Sequence, residues 1–573
     1  RSQPMLRSLI ALCMAFWLTS LDYLISLAEE ASTPKPNILF IAMDDLNDWI
    51  GCMGGHPQAL TPNLDRLSQT SVFFTNAHCA APACNPSRAA VFTGISPNHS
   101  GLYSNNQSMR AVMPTEEIIP KTLMRHGYHA SGSGKMLHYF IDAASWNQYF
   151  PNKETENPFP RTLYPNPRPL SLPRGGPWQY VETDWGPLDA TDEEYGGDYL
   201  VTNWVNAMLS SKHDKPFFLA CGIYRPHEPW FVPAKYFEPF PLESIQLPPG
   251  YKEDDLDDLP PTGKRRGPNR YFAHIRKEGQ WKRAVQGYLA SIHYADAMLG
   301  RVLDTLEASD HKDNTILVLW SDHGWHLGEK QHWQKFTAWR ACTRVPLMIR
   351  APKSKPGICH QPVCLTSLFP TLLDLAGLPA EEKHDHPSLK PLIENPKANW
   401  PHVAITHLDR PENYSISDVR WRYIHYQGGD EELYDVENDR YEWNNLANSP
   451  EHRVVLDKYR ALRPKDFSPY RVTGVQELKQ LPLRSTEVAI KNSNPVGPKL
   501  TVTFLNKTKS PVNVHWIDQQ GKPVLYFQIE AGQAKSQLTR QGATWMITRT
   551  DDKVLGHVQI ESTAAKVIID HLP

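Results

Sequence analysis

The run Cys84-Asn85-Pro86-Ser87-Arg88 sets a thiol, a hydroxyl and a guanidinium within five residues, ahead of a helix-like Ala89 to Phe92. A thiol at a helix N-terminus meets unpaired N–H groups and the positive end of the dipole, which favour an anion. Arg88 adds a planar fork suited to an oxyanion. The run therefore suits a nucleophile. Its plainer reading is a buried cysteine in a loop that caps a helix, the usual fate of a lone cysteine. Two acidic doublets stand elsewhere: Asp44-Asp45 after the apolar run Asn37 to Met43, and Asp322-His323 after Thr315 to Trp320. Alone, Asp44-Asp45 reads as acids that cap the next turn. Alongside the cysteine run, the doublets offer carboxylate oxygens to a hard cation, Ca²⁺ or Mg²⁺. His323 departs from all-oxygen ligation, so zinc is a second option. The chain lacks ligands at structural-zinc spacing there.

Cys-x-Pro-Ser-Arg resembles the signature of the type I sulfatases, of the alkaline phosphatase superfamily. The resemblance implies that a dedicated maturase oxidises Cys84 to formylglycine, whose hydrate attacks sulfur. A sulfated hemiacetal can then expel sulfate by C–O cleavage, where a serine ester would need a second attack; one hard step becomes two. It also implies one calcium ion, rather than magnesium, held by Asp44, Asp45, Asp322, His323 and the modified Cys84. Gly134-Lys135-Met136-Leu137-His138 is similar to the family's Gly-Lys-x-x-His. By that likeness Lys135 binds sulfate and His138 contacts the formylglycine hydroxyl. His227, in Arg-Pro-His-Glu-Pro, becomes the acid for the leaving alcohol, and Lys335 the second sulfate-binding lysine. His326 is read as packing and His332 as a substrate contact. The order of motifs over residues 36–450 most resembles the iduronate-2-sulfatase branch. The implied activity is hydrolysis of a sulfate monoester on a carbohydrate, with no nucleic-acid partner. Two rivals stand beside it: a phosphatase or phosphodiesterase of the same superfamily, and a glycan-binding protein whose cysteine is never converted. For the loops 140–195 and 240–280, where the sugar would be chosen, the resemblance supplies no matching substrate residues.

These residues need elements to position them. Asn37 to Met43, Pro216 to Gly222, Thr315 to Trp320 and Pro346 to Arg350 are apolar runs that suit buried strands of a mostly parallel sheet. Val72 to Phe74 is a shorter strand, and another ends at Ser131. Helices are expected from Pro62, capped by Thr61, and from Thr115, and over Asp198 to Leu209, Ala284 to Leu306 and Ser367 to Ala376. Alternating strands and helices predict an α/β fold, with ligands gathered at the carboxyl ends of strands. The aperiodic stretch Pro151 to Pro187 reads as an ordered insertion near the substrate. The acidic run Glu253 to Asp258 and the basic Lys264-Arg265-Arg266 read as solvated loops. We expect a catalytic domain over 36–400, an antiparallel subdomain over 401–465, a linker over 466–497 and a β-sandwich over 498–573. The last resembles the von Hippel–Lindau β domain through Val514-His515-Trp516-Ile517-Asp518, Gly521-Lys522 and Gly542-Ala543-Thr544-Trp545.

At 573 residues the chain exceeds one ordinary domain, and a net charge of −2 speaks against nucleic acid or an acidic membrane surface as partner. Residues 5–28 read as a secretory signal, with Arg7, an apolar run and a small-x-small end at Ser26-Leu27-Ala28. Asp22 interrupts that run, against a spanning helix. The expected location is therefore the periplasm or outside the cell, without stable membrane insertion. An oxidising compartment permits disulfides, and Cys359 and Cys364 lie near enough in sequence for a short loop.

Overall fold

The computed structural model describes residues 35–174, 182–471, 479–485, 487–561 and 565–570. The signal-like segment 5–28, with Cys13, lies outside them.

The apolar runs become the middle of a nine-stranded sheet. Asn37–Met43 lies between Thr315–Ser321 and Phe217–Ile223, parallel to both, and His129–Gly134 pairs parallel with Phe217–Ile223. Arg344–Arg350 runs antiparallel to both its neighbours, Thr315–Ser321 and Val72–His78. All seven residues of Asn37–Met43 are buried, as a central strand covered on both faces must be. Its side chains alternate between two cores. Leu39, Ile41 and Met43 join one with the helix Trp281–Ala308, while Ile38, Phe40 and Ala42 join another with the helices Cys84–Thr93 and Leu368–Leu375. Burying each such side chain stabilises the fold by about 1.5–3 kcal/mol. The result is the expected α/β architecture, a mostly parallel sheet between helical layers.

Local chemistry moved several boundaries. The helix expected from Thr115 spans Ile119–Arg125, with Pro120 in its first turn. Thr61 precedes the helix Pro62–Thr70 but gives it no side-chain cap; its hydroxyl accepts from the Gly51 amide at 2.8 Å instead. Cys359 and Cys364 are both free thiols, each on its own short strand against Val72–His78. The charged runs are not simply solvated. Asp255 is buried and pairs with Lys330 at 2.6 Å, and Arg266 reaches Asp409 at 3.4 Å. A partner of opposite charge in the fold, invisible locally in sequence, draws each inward.

Beyond the sheet, Ala404–His407, Tyr414–Ser417, Trp421–His425 and Glu431–Asp435 form a four-stranded antiparallel sheet backed by the helix Arg453–Ala461. Its edge is tied to the cysteine loop: Thr406 Oγ1 donates to the Cys79 carbonyl at 2.7 Å, and the His407 amide to that of Ala80 at 2.8 Å. The last residues form two four-stranded sheets that share one core, including Val502, Phe504, Val514, Phe527, Trp545 and Val567. A strand of this sandwich, Lys479–Leu481, lies inside the segment read as linker and pairs with Ala565–Ile569.

Candidate active site

Four neighbouring parallel strands end on the same side, and each delivers a polar group. Met43 leads to Asp44-Asp45, Ser321 to Asp322-His323, Gly134 to Lys135, and Ile223 to the turn bearing His227. Two glycines let the strand ends close up. A Cβ on Gly134, at φ +74°, would stand 2.0 Å from the Gly222 carbonyl oxygen, and one on Gly222 would stand 2.5 Å from the Lys135 amide. Only glycine fits such an approach.

Cys84 is the first residue of its helix, and all ten residues of that helix are buried. The helix is anchored from its own sequence. Ser87 Oγ donates to the Asp322 carbonyl at 2.6 Å, while Arg88 Nε reaches Asp322 Oδ2 at 2.8 Å and Nη2 reaches Asp44 Oδ1 at 3.0 Å. Arg88 is thus a clamp between two acidic doublets rather than a free fork. Around Cys84 Sγ stand Lys335 Nζ at 2.9 Å, His323 Nε2 at 3.3 Å, Lys135 Nζ at 3.6 Å and Asp45 Oδ1 at 4.0 Å. Burial opposes ionisation of this thiol, but Lys135, Lys335 and His323 outweigh it and hold it well below its ordinary range. Lys135 also pairs with Asp44 Oδ2, and Lys335 with Asp45 Oδ1 at 2.9 Å.

The histidines are oriented by backbone. His323 Nδ1 faces the Gly324 carbonyl at 3.0 Å and His227 Nδ1 that of Glu228 at 2.5 Å, so both Nε2 atoms point into the cluster. His227 Nε2 lies 3.6 Å from Asp45 Oδ2, and its ring stacks on Tyr224 at 4.7 Å. Burial disfavours its charge, yet Asp45 carries the balance upward. His138 is half-buried, and its Nδ1 has no hydrogen-bond partner among the described residues.

The carboxylates test whether a cation fits. Asp44, Asp45 and Asp322 are all buried within one cluster, and Asp45 Oδ2 accepts no hydrogen bond. Ligand atoms of Asp44, Asp45, Cys84 and His227 lie within 4.8 Å of one another, as do those of Cys84, Asp322 and His323. A buried carboxylate oxygen without a partner is costly. A hard divalent ion would satisfy it and suits this donor set. Asp45 itself adopts φ +63°, and Tyr139, Gln334 and Phe336 are also left-handed, so backbone strain collects around the cluster.

Outward, the cluster opens into a cleft of about 830 Å³ lined by His138, Tyr139, His227 and Lys335. Tyr139 and Phe336, which both line it, remain 43% and 40% exposed. The insertion expected near the substrate does reach the site: Phe159 packs on Tyr139 and Tyr224, and Glu182 lines the cleft. Residues 175–181 of that stretch lie outside the described ones.

His326 is core, its ring bonded to Thr337 Oγ1 at 2.6 Å and facing the Glu329 carbonyl at 3.1 Å. His332 borders the cleft, but its ring nitrogens face the carbonyls of Arg266 and Lys335, at 2.7 and 3.0 Å. Two residues escaped the sequence reading. Glu228, fully buried and pushed up to about 7 by burial, accepts from Trp333 Nε1 and Gln334 Nε2, both at 3.2 Å. It therefore ties the segment of Lys335 to that of His227. Asp198 receives the amides of Tyr224 and Arg225 at 2.7 and 3.0 Å and holds the same turn. Their signal was local for Glu228, next to His227, and absent for Asp198.

The sulfatase family model matches residues 36–378, and a second model, N-sulphoglucosamine sulphohydrolase C-terminal, matches 328–463. A sulfatase of Formosa agariphila is 37% identical over 75% of this chain and 87% of its own. Mouse iduronate 2-sulfatase is 28% identical, over 75% of this chain and 94% of its own. Among solved structures, one in complex with its substrate D-glucosamine-2-N,6-O-disulfate superposes with a TM-score of 0.58 at 22% identity, over 75% of this chain and 96% of that one.

Proposed function

The chain belongs to the sulfatase family, and from that premise we propose that it is a sulfuric ester hydrolase that removes sulfate from a carbohydrate, with Cys84 as the residue matured to formylglycine. The observation that carries this reading is the convergence of Lys135, Lys335 and His323 on Cys84 Sγ. In the matured protein that sulfur is replaced by the aldehyde oxygen on Cβ, so Sγ marks the place where the hydrate's hydroxyl oxygens would lie. Formylglycine supplies, once hydrated, a nucleophilic oxygen and a second hydroxyl through which sulfate can be released. A calcium ion held by Asp44, Asp45, Asp322, His323 and residue 84 would supply positive charge to the sulfate oxygens.

The chain's own groups divide the remaining work. Lys135 and Lys335 each spend their charge on a carboxylate here. With those carboxylates turned to a cation, both ammonium groups would be free to bind the sulfate oxyanion. Arg88 holds the two acidic doublets in register. His138, beside residue 84, is placed to take a hydroxyl proton. His227 Nε2, aimed inward by its Nδ1 bond, is placed to give a proton to the leaving alcohol. Exposed Tyr139 and Phe336 in the cleft suit the apolar faces of a sugar ring. The relatives named above include an iduronate 2-sulfatase, which supports a carbohydrate substrate. Export through the segment 5–28 and a maturase partner complete the reading. Among the described residues no helix is long and apolar enough to cross a membrane.

Intact mass of the Cys84 peptide, from protein made with a co-expressed maturase, tests this directly. We expect the loss that accompanies conversion of thiol to aldehyde, together with turnover of 4-nitrophenyl sulfate. Cys84→Ala should keep the thermal transition and lose that turnover; turnover retained in Cys84→Ala would refute the nucleophile.

A further inference from the structure

The terminal sandwich is not set apart from the catalytic cleft. The same cleft that holds His227 and Lys335 is walled on its far side by Tyr526, Gln528 and Lys535 of the sandwich. Polar bonds across the junction fix that wall. Arg270 Nη1 donates to the Tyr526 carbonyl at 3.0 Å, Arg410 Nη1 meets Glu530 Oε2 at 3.4 Å, and Gln533 Nε2 donates to the Asp409 carbonyl at 3.4 Å.

The charges on this wall are unbalanced. Arg266, lower in the cleft, is neutralised by Asp409. Arg270 bonds a carbonyl and the Tyr271 hydroxyl, and Lys535 lies over the Phe527 ring at 4.8 Å; neither pairs with a carboxylate among the described residues. Burial, and then the neighbouring Arg270 guanidinium, push the Lys535 ammonium down to about 8. Two cations that line one cleft repel each other, and an anion between them would relieve that repulsion. A sugar carrying the scissile sulfate at Cys84 would extend its next residues along the cleft toward this wall.

We propose that Arg270 and Lys535 form a subsite, completed by the terminal sandwich, for an oxyanion substituent on a sugar residue beyond the one that is desulfated. This inference rests on the carbohydrate-sulfatase reading above and makes the substrate a polyanionic chain rather than an isolated sulfated sugar. Sulfate and uronate carboxylate share the chemistry, since both accept charge-assisted hydrogen bonds from Lys and Arg.

Binding to the full chain by calorimetry at low salt decides it, with a sulfated dextran tetrasaccharide, tetragalacturonate and glucose 6-sulfate as probes. Lys535→Ala should weaken at least one tetrasaccharide about tenfold, the worth of one charged contact, while glucose 6-sulfate binds as before. Which tetrasaccharide suffers tells sulfate from carboxylate. Lys522→Ala, on an exposed turn outside the cleft, is the control and should change neither. Equal affinities of wild type and Lys535→Ala for both tetrasaccharides, or an equal loss in Lys522→Ala, would overturn the subsite. Binding is read without turnover, so an absence of aryl sulfate hydrolysis would count against the hydrolase reading alone.

Discussion

At the scale of single residues, the site is a set of buried charges that constrain one another. Arg88 cannot both clamp Asp44 to Asp322 and serve as a free anion hook, and the distances assign it to the clamp. That leaves the lysines to face Cys84. His227 has its Nδ1 on a carbonyl and one nitrogen left for chemistry. If it is the acid, His227→Ala should cost about 10²–10⁴ in kcat on alkyl sulfates and much less on 4-nitrophenyl sulfate, whose leaving group needs no proton. Equal losses across a leaving-group series would assign it another role. A histidine outside the charged cluster sets part of the acid stability. Burial, and then His386 and His99, push His407 down to about 3. A depressed histidine favours folding fully above its ordinary value near 6.5, and that contribution fades as pH falls from there toward 3. Denaturant titrations from pH 6.5 to 3.5 should therefore show a shallower acid slope in His407→Asn, by up to about 1.4 kcal/mol per pH unit. An unchanged slope would mean that His407 takes up its proton in the folded protein as readily as in the unfolded chain.

At the scale of elements, four strand ends and one helix start converge because the strands are parallel neighbours in one sheet. Their carboxyl ends must then share an edge, and whatever follows each strand is brought within side-chain reach. Gly134 and Gly222 set how closely two of those ends approach. Gly134→Ala, with its Cβ driven into a carbonyl and its φ in the left-handed region, should destabilise the fold by about 1–3 kcal/mol. It should also lower aryl sulfate turnover by shifting Lys135. A thermal transition and kcat within error of wild type would show that the strand ends have slack.

At the scale of the whole molecule, the catalytic sheet and the sandwich have separate cores but share a cleft. A chain ended after Arg471 should keep the cooperative unfolding of the sheet domain and its hydrolysis of 4-nitrophenyl sulfate. It should lose any advantage of long anionic substrates over short ones. Collapse of the sheet domain on truncation would show that the sandwich supports it through the Arg270, Arg410 and Gln533 contacts.

The sequence by itself determined the chemistry and the strands that carry it. Cys84 to Arg88, Asp44-Asp45 and Asp322-His323 are short runs whose residue types are informative, and buried parallel strands announce themselves as unbroken apolar stretches such as Asn37 to Met43. Wherever position depends on a distant partner, only the tertiary structure decided. The pairing of Asp255 with Lys330, the free thiols of Cys359 and Cys364, the grip of Glu228 on Trp333 and the meeting of Arg270 with the sandwich are examples. Local sequence encodes periodicity and residue chemistry. Charge pairing and burial across 75 to 256 residues of chain depend on which surfaces the fold brings together.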